Sequence, residues 1–442
     1  MIKNSTELNI VIQNLKEGNL DDGLKKIKEI TITTSNNNLI CKLYASIYFQ
    51  KKNWENSIKY LQKMLFFEDK KFGIYNNIGV ALFNLGKINE SIETYKKATI
   101  ENSNFDLAYE NMGISYNELG AYEKAAKSFS KALNLNENNY NAKNNLISLF
   151  LVCRIDGKNE NPLIKINNKI KNINNKITIN NHIRLKDIKD ILKKSNDIIK
   201  TYQKEFDYNE TQIYRKNSTN LNCKRHFKVF NEFNIIPKYC FACYKIQITL
   251  GNVVDLIKLY FIFDDILLEK NNIRKCIIET RQNISGNYKG YIYCNGIDEA
   301  QKISNKISSI TNKIKFKKIK ITIKHGCSEF YELYPDYKNI NVSNKKQMVY
   351  EENWKEKELI IDNKIPTRSN FDKKKIHKSL QGINLSDILI IKNWIYYAYL
   401  IGDFSYKDIY YEEAKSSFIE AILEPQLTFR KKKSYQIKLN IF

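Results

Sequence analysis

Through the first 150 residues apolar side chains recur every three or four positions, the spacing of one helix face. The pattern itself repeats every 34 residues. Gly23, Ser57, Ser91 and Ala125 are small; Leu20, Trp54, Ile88 and Tyr122 are large and apolar. Ile27, Leu61, Tyr95 and Phe129 form a third column, Val11, Ala45, Gly79 and Gly113 a fourth, and Ile30, Met64, Ala98 and Ala132 a fifth. Small residues allow two helices to cross closely and large ones fill the space between crossings. Leu-Gly at 85–86 and 119–120 closes the first helix of its unit with a residue free to adopt φ > 0. One helix pair cannot bury its apolar face alone, so the pattern predicts stacked antiparallel pairs.

From residue 244 the period shortens. Strands are predicted over 244–249, 274–282, 288–294 and 314–324, with helices over 253–268 and 297–310. On the strands, Ile246, Ile248, Cys276, Ile278, Ile292, Cys294, Ile319, Ile321 and Ile323 face the helices. The other face carries Lys245, Gln247, Lys275, Arg281, Tyr291, Tyr293, Lys318, Lys320 and Lys324. Around this region the chain divides into a helical solenoid (1–155), an Asn/Lys-rich linker with a helix at 182–206 and an irregular 207–222 (156–222), a basic α+β domain (223–335), an irregular connection (336–384), and a helical C-terminal segment with a basic tail (385–442). Within the last, 385–401 reads as an apolar helix, 411–423 as one degenerate repeat, and Arg430–Lys433 as a solvated basic run.

The repeat columns resemble the tetratricopeptide repeat family. Unit 106–139 carries Tyr109, Gly113, Tyr116, Gly120, Tyr122, Ala125, Phe129 and Ala132 in the signature places; unit 72–105 carries Tyr75, Gly79, Leu82, Gly86, Tyr95 and Ala98. The resemblance implies a concave groove for a peptide or protein partner, lined by first-helix residues: Lys42, Ser46 and Phe49, then Asn76, Val80, Phe83 and Asn84, then Glu110, Ile114 and Asn117. Val80 and Ile114 stand where a carboxylate clamp needs polar residues, so a mixed apolar and amide groove follows, with Phe49 and Phe83 as anchors. The strand–helix order β-α-β-β-α-β is the ferredoxin-like arrangement. Lys289-Gly290-Tyr291-Ile292-Tyr293-Cys294 partly resembles the first ribonucleoprotein motif of RNA recognition motifs, with Ile292 in place of a small residue. That resemblance implies an alternative partner, single-stranded nucleic acid, held by Tyr291, Tyr293, Lys245, Lys275, Lys318 and Lys320.

Charge sharpens this picture. The 442 residues carry 72 Lys and Arg against 48 Asp and Glu, a net of +24. Residues 1–150 hold 19 lysines against 16 acids, a net of +3, which leaves 53 bases against 32 acids, a net of +21, in the remainder. The basicity is regional and favours an anionic partner there, although the bias toward Lys, Asn and Ile along the whole chain supplies lysines without one. No apolar stretch is long enough for a membrane span, and Met1–Glu7 leads into no apolar segment of a secretory signal. A reducing cytoplasm is the expected compartment, and disulfides are not expected.

Six of the eight cysteines lie between 223 and 327. Cys223-x2-His226 followed by Cys240-x2-Cys243 has the residue types of a tetrahedral zinc set, which would pin the intervening stretch to the first strand; buried free thiols are the competing reading. His325 stands two residues from Cys327, a pairing that would serve nucleophilic catalysis only if the two side chains touch. No Walker loop, dinucleotide fingerprint, HExxH or GxSxG motif occurs. The sequence thus points to a non-catalytic interaction protein with no small-molecule substrate, a structural zinc being the one candidate cofactor.

Overall fold

The computed structural model describes residues 2–30, 37–155, 161–173, 183–202, 206–215, 223–281, 284–340, 348–364, 379–410 and 415–424. They fall into two compact units, one ending at Leu149 and one beginning at Phe150.

Among the described residues the first unit comprises nine helices: α1 (Ile2–Glu17), α2 (Leu20–Glu29), α3 (Asn37–Gln50), α4 (Trp54–Met64), α5 (Phe72–Asn84), α6 (Ile88–Glu101), α7 (Asp106–Glu118), α8 (Tyr122–Leu135) and α9 (Tyr140–Leu149). The 34-residue columns are its interior. Ser57, Ser91 and Ala125 are fully buried at the helix crossings. Ser57 Oγ donates to the Ala45 carbonyl at 3.0 Å, and Ser91 Oγ donates to the Ile88 carbonyl at 2.7 Å. Ser57 thus satisfies its hydroxyl on the helix it crosses, and Ser91 on its own helix.

The turns repeat as faithfully as the core. In each of four repeats an amide two or three residues past the helix end donates five residues back: Asn19 to Asn14, Asn53 to Tyr48, Lys87 to Leu82 and Ala121 to Tyr116, at 2.8–2.9 Å. This closure requires the preceding residue to be left-handed. Gly18, Gly86 and Gly120 occupy it with φ of 81°, 78° and 71°; in the second unit Lys52 does so with φ of 57°.

The second unit contains a five-stranded antiparallel sheet in the order β1-β3-β4-β2-β5, with β1 (Gln212–Arg215), β2 (Cys243–Leu250), β3 (Arg274–Ile278), β4 (Tyr288–Asn295) and β5 (Ile319–His325). Around it lie α10 (Pro162–Lys171), α11 (Leu185–Lys200), α12 (Cys223–Phe233), α13 (Val253–Asp265), α14 (Ile297–Lys313), α15 (Trp354–Lys364) and α16 (Leu385–Ile401). Ile246, Ile248, Cys276, Ile278, Ile292 and Cys294 are buried on the helix side, while Ile319, Ile321 and Ile323 on the edge strand are half-buried. Gly290 lets α13 approach β4: a methyl there would lie 2.3 Å from Leu259 Cδ2.

Three stretches differ from the expectation. Residues 162–171, read as linker, form α10, capped by Asn161, whose Oδ1 accepts from the Leu163 amide at 3.0 Å. Its buried face, Leu163, Ile166, Asn167 and Ile170, is hidden in the sequence by the surrounding Asn/Lys/Ile repetition. Residues 212–215, read as irregular, form β1 on the β3 edge. Residues 354–364, read as irregular, form α15, held to α12 by Arg225, which pairs with Asp362 at 2.8 Å and also with Glu358. The expected basic run Arg430–Lys433, the start of the degenerate repeat at 411–414, and parts of the 156–222 linker and of the 336–384 connection lie outside the described residues.

At the centre of this unit Arg215, 1% exposed, donates through Nη2 to Asp387 Oδ2 at 2.5 Å and to the Tyr260 hydroxyl at 2.7 Å, and through Nε to Asp264 at 2.6 Å. Asp387 also closes a capping box with Asn384 at the start of α16.

Candidate functional site

The first-helix surface of the N-terminal unit is carried by α3, α5 and α7. Lys42 and Asn84 are exposed there; Ser46, Phe49, Val80, Phe83, Ile114 and Asn117 are half-buried. Asn76 and Glu110 are buried. Phe49 meets Trp54 edge-on, ring centroids 5.1 Å apart. Val80 and Phe83 lean on the cluster of Ile88, Ile92, Tyr95 and Met112. These apolar residues each show one side to solvent and give the other to the core. Asn76 Oδ1 accepts from Asn111 Nδ2 at 2.9 Å, tying α5 to α7. Asn111 escaped the sequence reading, although the 34-residue shift places it over Asn77, whose Oδ1 lies 3.5 Å from Asn76 Nδ2. Asn84 Nδ2 donates to the Val80 carbonyl of its own helix at 2.8 Å.

In the second unit the sheet face away from α13 and α14 is basic and aromatic. Lys275 Nζ lies 5.4, 5.6 and 6.0 Å from the ring centres of Tyr214, Tyr291 and Tyr293, and Lys245 Nζ lies 5.6 Å from Tyr293. Tyr214 is an addition, because β1 was not foreseen. Lys245 is directly opposite Lys324 in the β2–β5 register. Burial pushes the Lys275 ammonium down to about 8, and the charges of Lys245 and Arg281 push the same way. Lys324 is lowered by burial, Lys245 and Lys320. Lys320 is exposed on β5, and Lys318, also exposed, stands one residue ahead of that strand. Lys289 is different: with 1% exposure it is spent on Glu279 at 2.9 Å. Burial would raise the Glu279 carboxyl, but hydrogen bonds from Arg281 and Lys289 hold it at about 2.

The cysteine-rich region forms a third locality. Cys223, His226, Cys240 and Cys243 line one small cavity of about 10 Å³, together with Phe227, Tyr239, Gly326, Cys327 and Phe330. The spacing therefore brought the four expected groups to one place. Among the described residues, however, no three His, Cys, Asp or Glu side chains are arranged to hold a metal ion. The His226 ring stacks on Tyr239 at 5.4 Å. Burial pushes its imidazole down to about 4, with Arg225 adding to the effect. All eight cysteines are free thiols. Burial raises Cys240 and pushes Cys243 up to about 11. Cys327 was not among the expected ligands, yet its sulfur accepts from Lys245 Nζ at 3.2 Å.

His325 is turned away from that sulfur. Its Nδ1 lies 2.6 Å from the Tyr337 carbonyl and its Nε2 2.9 Å from the Phe241 carbonyl, so both nitrogens are engaged by backbone. The ring serves the fold, and the His325–Cys327 pairing does not form.

No described helix is long and apolar enough to cross a membrane. None of the curated proteins compared matches the chain. Among solved structures, MamA is 20% identical over 32% of this chain and 82% of its own, with a TM-score of 0.29. The Arabidopsis OM64 tetratricopeptide repeat domain is 22% identical over 25% and 93%, TM-score 0.24. The first such domain of human RPAP3 is 24% identical over 26% and 90%, TM-score 0.25. The tetratricopeptide repeat family model matches residues 72–99 and 107–139. That match falls on α5–α6 and α7–α8, so residues 72–139 of this chain are tetratricopeptide repeats.

Proposed function

We propose that the chain is a non-catalytic interaction protein whose repeats bind an extended or helical segment of another protein along the first-helix surface. The observation that carries this reading is the half-open set Phe49, Val80, Phe83 and Ile114 on α3, α5 and α7. It offers apolar contact beside the polar Lys42, Ser46, Asn84 and Asn117. Asn76 and Glu110, being buried, shape this surface from below. Selection of displayed random peptides on the full chain tests the proposal. Selected peptides should lose about tenfold or more in affinity for the triple variant Lys42→Ala, Asn84→Ala, Asn117→Ala. Peptides indifferent to that variant, or none selected, would overturn it.

A second reading concerns the basic region. The order β3-β4-β2-β5 with all pairs antiparallel supports a ferredoxin-like arrangement for 243–325. We propose that its open face is the surface for single-stranded nucleic acid, because burial and the nearby charge of Lys245 lower both Lys275 and Lys324, and three tyrosine rings surround Lys275. Binding of a homopolymeric oligonucleotide should fall steeply with salt and follow Lys320→Glu and Lys324→Glu. Affinity that ignores salt would remove this reading and leave the repeats untouched.

A further inference from the structure

We propose that Cys327, Lys245 and Cys223 form a peroxide-reactive thiol site, with Cys327 the attacking sulfur, Lys245 its cationic partner and Cys223 the thiol that closes a disulfide with it. The nucleophile in such chemistry is the thiolate, and a cation at hydrogen-bond distance favours it. Lys245 is placed for this role. Its Nζ donates to Cys327 Sγ at 3.2 Å, and among the described residues it pairs with no carboxylate.

The chain holds Cys327 in place by a constrained turn. Gly326 has φ of 53°, and a methyl there would lie 2.0 Å from the Tyr337 hydroxyl oxygen, so only glycine fits. Its amide donates to the Cys243 carbonyl at 2.7 Å, continuing the β2–β5 pairing one residue past β5, immediately before Cys327. Cys327 and Cys223 are both half-buried, whereas Cys240 is buried. They line the same cavity, whose free space is roughly one water molecule. Cys223 also lines an open cleft with Phe227, Lys228, Asn231 and Glu232. It is therefore the thiol at the boundary between solvent and the cluster.

The chemistry balances with hydrogen peroxide as oxidant. Cys327 sulfur attacks one peroxide oxygen; an S–O bond forms, the O–O bond breaks, and the departing hydroxide takes a proton to become water. Cys223 sulfur then attacks the Cys327 sulfenic acid; an S–S bond forms and the second hydroxide leaves as water. Two thiols and one peroxide become one disulfide and two waters, the sulfurs losing two electrons and the peroxide gaining them.

The test uses the full chain, reduced and then exposed to hydrogen peroxide, with sulfenic acid trapped by a cyclic diketone and located by peptide mass spectrometry. Cys153, also half-buried with its thiol donating to a backbone carbonyl, is the internal reference. Cys327 should label about tenfold faster than Cys153, and Lys245→Met should remove most of that advantage while Lys245→Arg keeps it. Untrapped protein should yield a Cys223–Cys327 disulfide, and Cys223→Ser should accumulate the sulfenic acid. Equal labelling of Cys327 and Cys153 would overturn the proposal without recourse to any variant. So would a rate unchanged in Lys245→Met, or a stoichiometric thiophilic metal in the untreated protein that blocks labelling.

Discussion

Gly79 on α5 and Tyr95 on α6 share one space. A methyl on Gly79 would lie 2.5 Å from Tyr95 Cε1, and one on Gly113 would lie 2.6 Å from Phe129 Cε1, one repeat later. In the preceding unit the same two positions are Ala45 and Leu61, both buried in one cluster. A residue larger by one methyl therefore faces a smaller partner, as close packing demands. Gly79→Ala should destabilise the protein by about 2 kcal/mol through overpacking against the ring. Adding Tyr95→Leu recreates the Ala45/Leu61 pair and should recover much of that loss. Urea unfolding of both variants measures it, and a double variant no more stable than Gly79→Ala would refute the packing account.

Lys52 is the unit-to-unit exception in the left-handed turn position that Gly18, Gly86 and Gly120 fill. A side chain there costs about 1–2 kcal/mol in backbone strain, partly offset by the unfolded-state entropy that glycine adds. Lys52→Gly should thus raise stability by about 0.5–1 kcal/mol. A fall in the unfolding midpoint would show that the lysine is held by something other than its backbone.

What the sequence revealed follows from which forces are local. The 34-residue columns are legible because each repeat meets the same neighbours, so Gly23, Ser57, Ser91 and Ala125 answer one steric demand. The β-α-β-β-α-β order is legible because burial alternates along Cys243–Leu250 and again from Gly290 to Cys294. β1 was not legible, since one of its two inward residues beside Ile213 is Arg215, a charge that is tolerable only because Asp264, Tyr260 and Asp387 arrive from α13 and α16. Nor was the role of Cys327, which depends on an 82-residue separation from Lys245 that no local pattern encodes. The groove positions come from register alone, which cannot tell that Asn76 and Glu110 turn inward.

The Arg215 network makes a prediction of unequal penalties. Arg215→Met leaves Asp387, itself fully buried, without its cation, and should cost about 3–5 kcal/mol. Arg215→Met with Asp387→Leu removes the fully buried carboxylate as well and should cost distinctly less, because only the partly exposed Asp264 is left without its cation. Thermal or denaturant unfolding of the two variants gives the comparison. Equal losses would mean that the pair contributes mainly by shape.

His226 sets an acid limb on stability. Its imidazole is buried against Tyr239 and pushed down to about 4 by burial and by Arg225, against an ordinary value of 6.5, with Glu358 and Asp362 opposing. Above pH 6.5 the ring is neutral in both folded and unfolded chains and contributes nothing. Between 6.5 and 4 the unfolded chain takes up a proton that the folded chain refuses, so stability falls as the pH drops, and levels off below 4. The full span for this one group is on the order of 3 kcal/mol. The Glu279 carboxyl, held at about 2 in the folded state, weakens the fold in a lower window, as the pH falls from 4.5 toward 2. The two are therefore separable. In a titration of unfolding free energy, His226→Gln should flatten the segment between pH 6.5 and 4 and leave the segment below it unchanged, whereas a slope persisting above pH 4.5 in that variant would assign the acid limb to another group.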